Sequence, residues 1–433
     1  MNSESTMTES TREPRTIRLW MHALIFLVAC LVLISRRPDA VLHPQFYGEG
    51  GIHFFADAYN FGPWAPLFVV VEGYMQVLPR LASALAVLVP LIWAPLVLNL
   101  VALAVQALPV NLLLDERSAG WGSLRFRAGM AGLYLALPNC FEVFTDITNA
   151  HWLLALSALL LLVAATPRSA AGKVFDIALL VMMGTSGPFS FFLAPVAIAI
   201  AWRERARWRW VMAGILIAAC CLQLCAMLFL APAPRHHREL GASLVLFLRI
   251  LGSQIYLGTL LGNTGLPALH GPVSTVVFCV AALGCTALAV ACFARSGQPM
   301  QMLLAFSGAV LLASFVSPIG FVGADKTVWE QMASSAGIRY WFFPSLAFAW
   351  TLLWCSRQPN AMTRSLTLKQ VSTALLALFC FGVIRDWVRP AFPDMHFAES
   401  VRRFEAAPIG AIVSIPECPE GWNVLLVKRE PRH

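Results

Sequence analysis

Four long apolar runs limit what this chain can become: Leu19 to Ser35, Trp152 to Ala165, Val211 to Ala231 and Val273 to Ala294. Each approaches the roughly 20 residues a helix needs to cross the hydrocarbon of a bilayer. Lipid offers backbone groups no hydrogen-bond partners, so runs of this length must be helices. The rest of the chain agrees, with 58% hydrophobic and 12% charged residues and a mean hydropathy of +0.70, outside the range of water-soluble domains. The fold class is therefore all-α: a polytopic membrane protein with about 10–12 transmembrane or re-entrant helices by a count of apolar segments.

The first run follows a long segment of mixed charge and no small-residue cleavage pattern, so it is read as a retained helix rather than a signal peptide. The net charge of +8 comes from basic residues clustered between runs, as at 203 to 209 (RERARWR) and 357 to 369. Such clusters set orientation and do not imply a nucleic-acid partner. Taking them and Arg295 as cytoplasmic, three polar segments count to the opposite face: the first loop 37–65, residues 138 to 152, and 321 to 339. This gives a disordered cytoplasmic N-terminus (1–16), a multi-span domain (17–387) and an extracytoplasmic tail (388–433). In that tail AIVSI and NVLLVK alternate as a hairpin would. A two-helix hairpin is predicted to turn at Gly184 to Pro188. Residues 240 to 262 are predicted to be interfacial or re-entrant. Residues 64 to 80 are predicted to lie along the surface, with Glu72, Gln76 and Arg80 on one helical face, ahead of one proline-broken span.

The eleven cysteines mostly lie inside apolar runs and show no metal-ligand spacing. Cys140 and Cys418 both fall in segments read as external, so a disulfide between them is allowed but not expected. His236 and His237 form a pair without ligand spacing, and no metal or other cofactor is indicated, although a divalent ion remains open. There is no P-loop, GxGxxG, HExxH or GxSxG motif, which argues against nucleotide-driven pumping and soluble-type nucleotide-sugar transfer.

Ionisable groups at a membrane boundary are costly unless they pair or line water, so the polar face carries the functional candidates. FYGEGGIHFFADAYNFG, residues 46 to 62, offers Glu49 and Asp57 as a general base or a ligand for a sugar hydroxyl, with His53 between them. The glycines around Glu49 are expected to leave it accessible. The plain alternative is a pair of solvated loop acids. VEGYMQVLPR supplies Glu72, Tyr74 and Arg80 as substrate contacts or as interfacial anchors. FEVFTDITNAHW places Glu142, Asp146, Asn149, His151 and Trp152 at the mouth of a span, a set that suits hydroxyls and a sugar ring face. The Trp is equally ordinary belt behaviour. GIRYW presents Arg339 and Tyr340 at the start of a span, where the guanidinium fork suits a lipid phosphate, or snorkels to the surface.

These pieces in this order resemble the GT-C superfamily of polytopic membrane glycosyltransferases: an acid-bearing loop after the first span, GY and PR, NAHW, a GP hairpin, a late RY and an external tail. The resemblance covers most of residues 19 to 387, through short motifs. It implies a catalytic acid at Glu49, with Asp57 as second choice, and Arg339 and Tyr340 facing the lipid phosphate. The loop departs from the family by lacking a DxD or a paired DE. A polyprenyl-phosphate-linked sugar donor, a glycan or lipid acceptor and contact with membrane lipid are implied. So is residence in a bacterial cytoplasmic membrane with the active face outside the cytoplasm. The competing class is a transporter or flippase of a lipid-linked sugar or other amphiphile, which favours charges deep within spans and repeated topology.

Overall fold

The computed structural model describes residues 19–144, 146–230, 239–263, 265, 272–318, 325–335, 337–358 and 366–430. The N-terminal segment read as disordered and the His236–His237 pair lie outside them. The described chain is overwhelmingly helical, with two small antiparallel hairpins. Seven of its helices are long and apolar enough to cross a membrane: Leu19–Arg36, Leu91–Leu114, Arg207–Leu230, Leu244–Leu261, Ser274–Arg295, Gln298–Val316 and Leu368–Arg385. Shorter helices complete the bundle, among them Ala150–Val163, Ala170–Gly184, Ser190–Glu204 and Phe342–Ser356.

Burial sorts these helices into an inner and an outer set. Ala150–Val163 and Phe342–Ser356 are apolar all round and almost wholly buried, as an inner helix must be. Outer helices keep Leu24, Leu27 and Leu31, or Val276, Val280 and Leu283, exposed. Surfaces of that extent suit lipid and not water. Inside lipid the bundle is held by close packing more than by the hydrophobic effect. Gly252 shows this, because a Cβ there would strike the Phe278 backbone in the Pro272–Arg295 helix.

Arginines close helix ends whose last carbonyls lack partners within the helix. Arg209 donates to Leu162 O and Ala164 O at 2.9 and 2.8 Å. Arg127 donates to Leu113 O at 2.9 Å, and Arg36 to Leu135 O at 2.6 Å and Leu137 O at 3.2 Å. Arg117 forms a fork on the buried Asp176, at 2.9 and 2.7 Å. Arg209, from the basic cluster at 203 to 209 read as setting orientation, is thus also a structural clamp.

The hairpin expected around Gly184 to Pro188 is formed by Ala170–Gly184 and Ser190–Glu204. The tail hairpin is also present, with Ile412–Glu417 paired to Trp422–Val427 from Ile412↔Val427 to Glu417↔Trp422. It is docked rather than free-standing. Gly48 N–H donates to Cys418 O at 2.7 Å, Asn60 donates to Leu425 O at 2.8 Å, and its carbonyl oxygen accepts from Val427 N–H at 3.0 Å.

Two expectations are corrected. Residues 64 to 80 form no surface helix: Val70–Val71 and Tyr74–Met75 pair across Glu72 and Gly73, whose φ values of 54° and 88° suit a tight hairpin turn. Gln223 holds this hairpin by accepting from Met75 N–H at 3.0 Å. Residues 244 to 261, read as interfacial or re-entrant, form one helical run long enough to span, wound in part as a π-helix at Leu251–Leu257. Cys140 and Cys418 are both buried free thiols, with no bond between them.

Candidate functional site

The three polar segments meet around one cavity of about 670 Å³. Its polar wall begins at Tyr47, Gly48 and Glu49. Gly48 has a φ of +56°, a left-handed conformation that favours glycine, and this bend puts Glu49 at the start of a helical stretch, Gly50–Phe55 followed by Ala56–Phe61. The neighbouring glycines do not serve to open access to Glu49, contrary to expectation. Gly50 and Gly51 are buried, and a Cβ on Gly51 would collide with Glu417, Val424 and Phe46. GEGG is thus a turn and a close-packing motif, and the tail hairpin is what it packs against.

Arg339 opens the turn Arg339–Trp341 that leads into the Phe342–Ser356 helix. Its guanidinium pairs with Glu142, and its N–H donates to the second Glu142 oxygen at 2.8 Å. The two segments are laced further, with Glu142 N–H donating to Gly337 O at 3.0 Å and Gly337 N–H to Asn139 Oδ1 at 2.7 Å. Gly337 is required there by its φ of +74° and by the Phe141 ring lying against it. Burial opposes the Arg339 charge, but Glu142, Tyr340, Tyr74 and Glu49 together raise its pKa above the ordinary arginine value.

Burial pushes the Glu49 carboxyl up, a backbone amide and Arg339 counter part of the rise, and Glu72 adds to it. Asp146 lies behind the cavity wall, accepting from Thr148 N–H at 2.9 Å and from Asn149 at 3.0 Å. Burial pushes its carboxyl up to about 7. His151 keeps Nδ1 2.9 Å from Thr148 O, which fixes the proton on that nitrogen when the ring is neutral. Trp152 packs on Phe189 at 4.8 Å.

Nine of the thirteen residues singled out from sequence line this cavity. Glu49, Glu72 and Tyr74 come from the first two segments; Glu142, Asn149, His151 and Trp152 from the third; Arg339 and Tyr340 from the last. His53, Asp57, Arg80 and Asp146 do not. Arg80 has no exposed side-chain surface, and it donates to Asp57 at 2.6 Å and to His53 O at 2.9 Å. That pair ties the Val77–Ala86 helix to Ala56–Phe61, so Asp57 and Arg80 take the anchoring role.

The sequence reading missed the apolar wall and the tail. Phe189, Phe191 and Phe192 follow the Gly187–Pro188 turn, and Met227 and Val310 come from two long helices. The outer faces of those helices carry exposed Leu228, Phe229, Leu312 and Val316, so the apolar wall adjoins the lipid-facing surface. Pro419 and Trp422 reach in from the tail hairpin. The run GPFSFF and a lone Trp between strand residues were the available signals. Buried polar atoms of Gln76 (Oε1), Thr148 (Oγ1) and Trp152 (Nε1), all on lining residues, have no hydrogen-bond partner among the described residues. Such groups cost about 1–3 kcal/mol each unless a ligand or water meets them. No group of three or more His, Cys, Asp or Glu side chains is placed to hold a metal among the described residues.

No family model and no curated protein matches the chain. Among solved structures it is similar to the archaeal oligosaccharyltransferase AglB from Archaeoglobus fulgidus, in complex with an inhibitory peptide and a dolichol-phosphate. That alignment has 12% identity, a TM-score of 0.44, and covers 90% of this chain and 58% of that one. It is also similar to the arabinofuranosyltransferase AftD from Mycobacteria, at 17% identity and a TM-score of 0.44, over 96% of this chain and 31% of that one. The chain thus spans less than two thirds of either structure, and neither alignment assigns a role to a residue here.

Proposed function

We propose that this integral membrane protein is a glycosyltransferase that moves a sugar from a polyprenyl-phosphate donor to an envelope glycan or lipid acceptor, on the extracytoplasmic face of a bacterial cytoplasmic membrane. The observation that carries the reading is one cavity with two unlike walls. One wall holds a carboxylate with a raised pKa and a fixed guanidinium; the other is aromatic and aliphatic and adjoins the lipid-facing surface. An amphiphile with a polyprenyl chain, a phosphate and a sugar needs both.

In the proposed reaction Glu49 takes the proton of the acceptor hydroxyl as its oxygen attacks the anomeric carbon. A carboxylate of raised pKa is the better base for that step. The bond from that carbon to the phosphate oxygen breaks, and the electron pair leaves with the phosphate. Arg339, held in place by Glu142, stabilises the departing charge. A single displacement inverts the anomeric centre. Asn149, His151, Trp152 and the unmet groups of Gln76 and Thr148 suit sugar hydroxyls and a ring face.

The test is reconstitution in proteoliposomes with polyprenyl-phosphate donors labelled in the sugar. Label passing to an acceptor with release of polyprenyl phosphate is the expected result. Donor crossing the bilayer with its glycosidic bond unbroken would replace the proposal with transport.

A further inference from the structure

The segment that lends Glu142, Thr148 and Asn149 to the main cavity contributes Asn139, Cys140 and Phe141 to a second, smaller one of about 70 Å³. Arg36, Arg385 and Arg389 also line it, against one acid among the described residues, Asp386. That acid is engaged: its Oδ2 accepts from Asn263 N–H at 2.5 Å and from Asn139 N–H at 3.4 Å. Arg36 is 1% exposed. Its side-chain donors end on backbone carbonyls, including Trp387 O and Asp386 O at 3.3 Å, and its charge meets no carboxylate in a salt bridge among the described residues.

Arg389 differs from every other buried arginine of this region. It is 5% exposed, and its backbone N–H donates to Arg36 O at 2.8 Å. Its guanidinium lies 4.1 Å from the Phe144 ring centroid. Its Nη2 is buried without a hydrogen-bond partner, and no carboxylate pairs with it among the described residues. Neighbouring Arg37 is already committed, with Asp39 at 3.8 Å and Pro390 O at 2.9 Å. Burial, then Arg36 and Arg37, hold the Arg389 guanidinium well below the ordinary arginine value. A buried cation without a counter-charge costs several kcal/mol, and the guanidinium fork matches tetrahedral oxyanions.

We propose that this cavity is an anion site in which Arg389 binds a phosphate-class oxyanion, either the phosphomonoester headgroup of a membrane lipid or inorganic phosphate. The space suits a single tetrahedral group. The site is separate from the main cavity and does not depend on the transferase reading.

The test uses the full chain in phosphatidylcholine nanodiscs, with inorganic phosphate added or with phosphatidate mixed into the disc, and follows Tm together with phosphate retention in native mass spectra. The wild type is expected to gain Tm with at least one probe. A response to phosphatidate alone identifies a lipid headgroup; a response to inorganic phosphate identifies a site open to the free ion. Arg389→Gln is expected to weaken binding about tenfold or more, whereas exposed Arg357→Gln keeps the wild-type response. Arg389→Met is expected to fold with a Tm at or above wild type in the absence of both probes, since the unpaired charge is gone. No response of the wild type to either probe, an undiminished response in Arg389→Gln, or a Tm of Arg389→Met below wild type without probe would overturn the proposal.

Discussion

Arg80 with Asp57 and Arg339 with Glu142 are the same chemistry in two settings. Arg80 has no exposed side-chain surface, lies 5.1 Å from the Phe54 ring centroid and joins two helices away from the cavity lining. Arg339 keeps 23% of its side chain exposed, Glu142 keeps 16%, and both line the cavity. The first pair spends its charge on architecture. The second is held rigid by the same contacts that leave it facing the space where a ligand fits, which is how a preorganised electrostatic site is built.

The largest effect that sharpens this contrast is expected from Arg339→Ala. Transfer in proteoliposomes falls by about 10²–10³-fold, the usual size of a lost charge-stabilising group, with a native elution profile in size-exclusion chromatography. Wild-type turnover in that variant would make the two pairs equivalent. Asp57→Asn comes next and acts on stability: Arg80 is left as an uncompensated buried charge, at a cost of about 3 kcal/mol. Thermal unfolding should show the loss, while transfer per folded molecule stays near wild type.

Glu417 tests whether the tail braces Glu49 from behind. Its carboxylate lies against the Gly51 and Ile52 amides, although neither oxygen makes a full hydrogen bond. Burial pushes its pKa up to about 9, with a further contribution from Glu49. A carboxyl whose folded pKa is raised binds its proton more tightly in the folded state. Its stabilising contribution is full below the unfolded value and is lost as pH rises toward about 9. Asp146 acts with the same sign at lower pH, since its value is about 7. Stability should therefore fall by about 4–5 kcal/mol between about pH 6 and 8.5, about 3 of it from Glu417, and Glu417→Gln should flatten the upper part of that decline. An unchanged slope would separate the tail from the site. The smallest effect is expected from Trp422→Ala, a rise in KM of about tenfold or less with kcat near wild type, in keeping with one lost aromatic contact. A fall in kcat alone would contradict a binding role.

Much of the helical fold was legible because long apolar runs admit few structures in lipid, and the Gly184–Pro188 turn and tail strands carried ordinary local signals. The Glu72–Gly73 hairpin was hidden because VVVEGYM has the apolarity of a helix, and only the positive φ at Glu72 and Gly73 settles it. The re-entrant reading of residues 240 to 262 came from scattered glycines and Arg249, which suggested an interrupted element, whereas Gly252 serves close packing on Phe278 within one continuous helical run. Topology counting grouped the cavity's polar segments correctly in space. It could not separate Glu49 from Asp57, since the partner that takes Asp57 out of the site stands 23 positions away at Arg80. Trp422 stood out only as a lone Trp beside the strand residues, and nothing near it in sequence says that the tail folds back on Gly51.

The central claim is that Glu49, and not Asp57, supplies the base in the cavity. The direct measurement is sugar transfer per folded molecule by Glu49→Gln and Asp57→Asn in the same proteoliposomes, with the same labelled donor. Loss of about 10²–10⁴-fold in Glu49→Gln, as for a removed general base, beside near wild-type transfer in Asp57→Asn is the predicted result. Full transfer in Glu49→Gln, or the larger loss in Asp57→Asn, would contradict it.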